Sequence, residues 1–214
     1  MSTSLGFSNP PNKEEILQRA LNSSLSDAVV NQHEETIKTL LESGANPLSV
    51  YTCTHPQFTA GVVWSSISIL EAASIQCKVP QFIMIHTYAK TPDNKKLLEF
   101  ILKDINLREK DIYTHRCSSV NNLLNICEYL LSTDETFDVT FTTNRDLLLL
   151  SCKYNNVALL KALTVGEYDL NNYGEKMLNI AIDKNAINVI TYLIQKLNIL
   201  ASPIINLELV MKNL

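Results

Sequence analysis

Residues 140–195 read TFTTNRDLLLLSCKYNNVALLKALTVGEYDLNNYGEKMLNIAIDKNAINVITYLIQ, and this stretch carries one pattern twice. In the first copy Leu148, Ser151 and Cys152 open a short helix, the polar pair Asn155 and Asn156 breaks it, and residues 157–163 form a second apolar helix. In the second copy Leu178, Ala181 and Ile182 take the same places, Asn185 and Ala186 replace the polar pair, and residues 189–194 replace residues 159–164. Leu148 and Leu178 are 30 residues apart. A hairpin of two short helices cannot bury its apolar face alone. A period of roughly 20 to 50 residues therefore marks units that pile side by side, each covering its neighbour. The stretch predicts a helical solenoid, an architecture suited to binding.

Composition excludes several function classes. With 214 residues, 46% hydrophobic and 19% charged, the chain can bury a sizeable core. The formal net charge is −4 and no Lys/Arg cluster is present, so neither a nucleic acid nor an anionic membrane is expected as partner. No apolar run reaches the ~18 residues of a spanning helix, and residues 1–15 lack a basic segment followed by an apolar one. A soluble chain without a standard cleaved export signal is the expectation. Five cysteines without regular spacing fit buried thiols in a reducing compartment better than a disulfide framework, which points to the cytoplasm.

From the N-terminus, residues 1–11 hold too few apolar side chains to offset ordering entropy and are read as a loose arm. Asn12 caps a helix over residues 12–22, with Glu15 in a capping-box position and Ile16, Leu17, Ala20 and Leu21 on one face. Ser23 and Ser24 are expected to end this cap helix and start the next.

Residues 25–47, LSDAVVNQHEETIKTLLESGANP, resemble the ankyrin repeat. The shared features are Leu25, Ala28 three residues later, a turn histidine at His33, a Leu-rich helix, and Gly44, Ala45 and Asn46; Gln32 stands where the family has its turn glycine. Gly44 has its own physical reason, because the chain leaving a helix there must enter the left-handed region. The resemblance covers most of residues 25–197, strongly in about three units and loosely in two, but Asp146 and Leu147, like Lys176 and Met177, stand where the family has Thr-Pro. Other arrays of helical hairpins, tetratricopeptide or HEAT, lack the finger turns that residues 44–47 and 168–171 suggest. The expected fold is mainly α, an ankyrin-like helical solenoid of about five helix-turn-helix units with an extended β-hairpin insertion.

Residues 12–214 are read as one repeat domain with two insertions and a terminal cap. Residues 48–66 alternate β-branched and aromatic side chains around His55 and Pro56, which reads as a lengthened hairpin finger. Residues 74–92 form a second insertion after a helix carrying Ile69, Ala72 and Ala73. There Phe82, Ile83, Ile85 and Tyr88 fit either a helix opened by Pro80 or a buried strand. The partner helix of that unit is placed late, at Leu98, Ile101, Leu102 and Ile105. A third unit ends in a helix with Leu123, Leu124, Cys127 and Leu130, and residues 202–213 form a C-terminal cap helix.

Chemistry has few candidates. Cys53 with His55, and His115 with Cys117, have too small a bite for a zinc site, and no third group accompanies them for a Cys/His-dependent hydrolase or transferase, the alternative reading. Phosphate-binding, zincin and hydrolase motifs are absent. No catalytic residue, cofactor or metal is expected. The resemblance implies instead a non-catalytic module that binds a partner protein through its concave face and elongated finger. On that finger Tyr51, His55, Phe58 and the single tryptophan, Trp64, are the candidate partner-binding residues, since aromatic side chains dominate interface hot spots. A monomer is expected. The Asn, Ile, Lys and Leu content suggests an AT-rich genome, and a short, divergent ankyrin-like chain resembles the secreted effectors of intracellular bacteria.

Overall fold

The computed structural model describes residues 12–51, 66–109, 119–133, 141–164 and 170–197. Ten helices and one short antiparallel ladder occur among the described residues, and the chain divides into two compact units, residues 1–92 and 93–214.

In the first unit α1 (Lys13–Val30) is capped by Asn12, whose side-chain oxygen accepts from the Glu15 N–H at 2.8 Å. The helix runs unbroken through Ser23 and Ser24, contrary to the expected break. Both serines face solvent, and their helix-propensity penalty, about 0.5 kcal/mol each, is too small to interrupt a helix anchored by the buried Leu25, Ala28 and Val29. A second correction concerns Ile16 and Leu17, which do not line an inner face but are 54% and 62% exposed. The helices packed against α1 are α2 (Glu34–Glu42) and α3 (Ile69–Gln76), of nine and eight residues, so the first turns of the 18-residue α1 extend past them.

Between α1 and α2 the chain turns through Gln32 at φ 56°. The Gln32 N–H donates to the Val29 carbonyl at 3.1 Å and the His33 N–H to Ala28 at 3.0 Å, the paired bonds of a Schellman turn. The same pair recurs after α2, where Gly44 at φ 92° donates to Leu41 and Ala45 donates to Leu40, each at 3.0 Å. Left-handed backbone there is what the sequence required of Gly44.

Two strands follow, β1 (Val50–Tyr51) and β2 (Ile67–Ser68), antiparallel with Val50 opposite Ser68 and Tyr51 opposite Ile67. This two-residue ladder flanks the segment expected to form the hairpin, whose residues 52–65 lie outside the described residues. Ser68 then starts α3 with a reciprocal capping box. Its hydroxyl accepts from the Glu71 N–H at 3.1 Å, and the Glu71 carboxylate accepts from the Ser68 N–H at 2.7 Å. Every residue of α3 is buried.

The segment read as a second insertion is in fact the partner of α3. Residues Val79–Tyr88 form α4, a helix with Pro80 in its first turn, which packs on α3 and on α2. Phe82 and Ile85 follow Leu70 by 12 and 15 residues, as Ile37 and Leu40 follow Leu25. The spacing of the hairpin is thus intact, and Cys77 and Lys78, in extended backbone, replace the left-handed turn. The unit is two helical hairpins side by side, α1 against α3 and α2 against α4.

In the second unit, helices α5 (Asn94–Glu109) and α6 (Val120–Ser132), α7 (Phe141–Lys153) and α8 (Val157–Thr164), α9 (Leu170–Asp183) and α10 (Ile187–Leu197) form three successive hairpins. The first helices contact one another in the order α5, α7, α9, and the second helices in the order α6, α8, α10. This arrangement corrects the assignment of Leu98 to Ile105: α5 opens the third hairpin, and α6 is its partner. Of the residues that separate them, 110–118 lie outside the described residues, and Ser119 caps α6.

The two copies first read from the sequence are adjacent and equivalent. Leu148 and Leu178 are each 2% exposed on the neighbouring helices α7 and α9. Asn155 and Asn185 have φ 55° and 52°, and the turn bond runs from Asn156 to Ser151 at 2.9 Å and from Ala186 to Ala181 at 2.8 Å. Leu160 follows Leu148 by 12 residues, and Ile190 follows Leu178 by the same 12. Apolar side chains at these spacings fill the core, with Leu98, Ile101, Leu123, Leu124, Leu159, Leu160, Val189 and Leu193 all at 0% exposure. Residues 1–11, the expected arm, and residues 202–213, the expected C-terminal cap, lie outside the described residues.

Candidate protein-binding surfaces

The loop that leads into β1 is held from α1. Asn22 on α1 accepts from the Asn46 N–H at 2.8 Å and donates its amide to the Ser49 hydroxyl at 2.6 Å. One turn earlier the Gln18 amide donates to the Gly44 carbonyl and to the Asn22 side chain, both at 3.0 Å. Two amide side chains at i and i+4 on one helix face therefore hold the loop that leads into β1. Of the four finger residues proposed from sequence, Tyr51 ends β1 opposite Ile67. His55, Phe58 and Trp64 lie outside the described residues, so the structure does not bring the four together.

The candidate Cys/His pairs, Cys53 with His55 and His115 with Cys117, also lie outside the described residues. Cys77, Cys127 and Cys152 are free thiols within the core. Burial pushes Cys77 and Cys152 up to about 12 and Cys127 higher still, since a thiolate there would lose its hydration. These three remain protonated at neutral pH and are poor nucleophiles. No group of three His, Cys, Asp or Glu side chains able to hold a metal occurs among the described residues. His33 caps α2 with its backbone alone. Its side chain is exposed and makes no cap hydrogen bond, so the turn does not depend on the imidazole.

Sequence reading passed over the amides at the left-handed turns. Gln32 and Asn155 stand where a glycine would relieve strain, and both side chains reach the next hairpin. The Gln32 amide donates to the Gln76 carbonyl at 3.1 Å, and the Asn155 oxygen accepts from the Val189 N–H at 3.2 Å. Asn156 adds a bond to Asn125 at 2.8 Å in the preceding hairpin. A left-handed conformation costs a non-glycine residue about 1–2 kcal/mol, less for Asn, and a hydrogen bond recovers about 1 kcal/mol of that. The substitution read as a departure from the family pattern thus couples adjacent hairpins.

A shallow cleft of about 380 Å³ lies between α8 and α10, with Val157 and Lys161 on one wall and Asn188, Tyr192 and Gln195 on the other. The Tyr192 hydroxyl lies 2.9 Å from that of Thr164, and the Lys161 ammonium sits 5.8 Å from the centre of the Tyr192 ring. Tyr192 is half-buried, so one part of its side chain packs between the helices while another lines the cleft. On the other layer Arg145 of α7 stands 5.8 Å from the ring of Tyr173 on α9. No sequence pattern marks the cleft, but the charge of its two helices can be read directly. Neither α8 nor α10 contains an Asp or Glu, although the chain carries more acidic than basic residues.

No helix among the described residues is long and apolar enough to cross a membrane. Residues 114–202 match the family model of ankyrin repeats, in three copies. No curated protein and no solved structure matches the chain. The matched region spans the α7/α8 and α9/α10 hairpins with their shared turn and 30-residue spacing, and it reaches back over α6. Residues 114–202 are therefore similar to ankyrin repeats, and the equivalent α7/α8 and α9/α10 hairpins lie within that match.

Proposed function

We propose that this chain is a non-catalytic module that captures a partner protein, using the finger residues Tyr51, His55, Phe58 and Trp64 together with the concave face of its repeats. The observation that carries the reading is the repeated, rigidly coupled hairpin. Ankyrin repeats are protein-interaction units, and the side-chain bonds between hairpins hold exposed residues in place before encounter, so less ordering entropy opposes binding. The anchoring of the finger base by Gln18 and Asn22 supports a role for the finger. Reduced, buried cysteines fit a cytosolic site of action, which for a secreted effector would be the cytosol of a host.

Affinity capture compared between the wild-type chain and its Trp64→Ala and Phe58→Ala variants tests this. A partner retained by the wild type and lost by both variants at unchanged melting temperature is the expected result. Variants that capture as well as the wild type would remove the finger from the interface. Variants that fail to fold would make those side chains core.

A further inference from the structure

We propose that the cleft between α8 and α10 is a second docking groove, and that its occupant is an acidic, extended segment of a partner protein. The proposal rests on the reading of the chain as a protein-binding module but uses a different face, formed by the second helices of two hairpins.

Charge selects the occupant. Across the 19 residues of α8 and α10 the only charged side chains are Lys161 and Lys196, in a chain whose formal net charge is −4. Lys161 lies on the cleft wall, over Tyr192, and no carboxylate on either helix competes for it. An acidic side chain of a ligand would meet a cation already positioned by an aromatic face.

Geometry selects the extended form. Asn188 and Gln195 both line the cleft, are exposed, and have no intramolecular side-chain hydrogen bond recorded among the described residues. Thr191, between them, already donates its hydroxyl to the Ile187 carbonyl at 2.9 Å. Asn188 and Gln195 are seven residues apart, about 10.5 Å along the helix at its ~1.5 Å rise per residue. A polyproline-II chain repeats every three residues, about 9.3 Å, and its backbone is unpaired. Two free amides at that separation can each donate to a carbonyl one turn apart on such a chain. Every third side chain would then face the same wall, where Lys161 stands.

The probe is a fluorescein-labelled (Glu-Pro-Pro)3 peptide, titrated with the full chain and followed by anisotropy. Its neutral counterpart, (Gln-Pro-Pro)3, is the control. Saturable binding of the acidic peptide is expected, weakened about threefold to tenfold in the neutral peptide, in Lys161→Glu, and in the Asn188→Ala/Gln195→Ala pair. All three substituted side chains are exposed, and melting curves of the variants confirm their folding. The proposal is overturned by equal affinity for acidic and neutral peptides, by Lys161→Glu binding as the wild type does, or by no saturation up to about 1 mM. Trp64→Ala separates the two readings. It should leave peptide binding unchanged while abolishing capture at the finger, and a finger-dependent partner with no peptide binding would sink the groove alone.

Discussion

The side-chain oxygen of Asn155, at the turn between α7 and α8, accepts a hydrogen bond from the backbone N–H of Val189, in the first turn of α10, at 3.2 Å. Asn185, the equivalent residue 30 positions on, has the same left-handed backbone, and no side-chain hydrogen bond is recorded for it among the described residues. This pair separates the cost of the backbone conformation from the value of the inter-hairpin bond. Asn185→Gly should change stability by no more than about 0.5 kcal/mol, since glycine accepts the conformation freely. Asn155→Gly should cost about 1 kcal/mol more, the worth of the lost bond. Urea denaturation of the two variants checks this, and equal midpoints would show that the bond to Val189 contributes nothing.

Leu193 is fully buried in the last described hairpin. Leu193→Ala should cost on the order of 2 to 5 kcal/mol, as truncation of a core leucine does. A loss below about 0.5 kcal/mol in the same denaturation experiment would mean that α10 does not pack against α8 and α9 as described.

The Thr164 and Tyr192 hydroxyls lie 2.9 Å apart across two hairpins. A double-mutant cycle with Thr164→Val and Tyr192→Phe should show a coupling energy of about 0.5–1.5 kcal/mol. Strictly additive effects would make the contact incidental.

Burial raises Cys77 and Cys152 to about 12, so the folded chain holds these protons after the unfolded chain has released them. A thiol whose folded pKa lies above its unfolded value of about 8.5 adds stability below that pH. The contribution is lost as pH rises from there toward 12, and the raised Tyr129 acts in the same direction. Stability should therefore fall between about pH 9 and 10.5, and less steeply in a Cys77→Ala/Cys152→Ala variant, as measured by denaturation at each pH. Parallel slopes would contradict the burial of these thiols.

The hairpins were legible wherever their turn chemistry was. The leucines at 148 and 178 and the amide turns after them fix two hairpins from residue spacing alone, and both stand in the structure. The α3/α4 hairpin escaped because Cys77 and Lys78 replace the turn residues, although the 12-residue offset from Leu70 to Phe82 was intact. The pairing of α5 with α6 escaped for a different reason: the intervening residues outnumber those of an ordinary turn, and apolar periodicity says nothing about which helices meet. The exposure of Ile16 and Leu17 was invisible for the same reason, since an amphipathic stripe does not reveal how long its partner is. The α8/α10 cleft lies on exposed positions, where no period constrains the residues.

The 12-residue offset between the first and second helix cores, kept in four hairpins from Leu25 to Ile37, Leu70 to Phe82, Leu148 to Leu160 and Leu178 to Ile190, has an evolutionary consequence. One residue inserted within that offset would rotate the second helix by about 100° and turn its apolar stripe away from the array. One inserted between hairpins, as in residues 43–68 between α2 and α3, rotates nothing, whereas the α5/α6 hairpin carries its extra residues between its two helices and does not keep the offset. Length variation is thus channelled into the connectors, which are the natural places for this lineage to acquire new loops, and for an engineer to graft a foreign epitope.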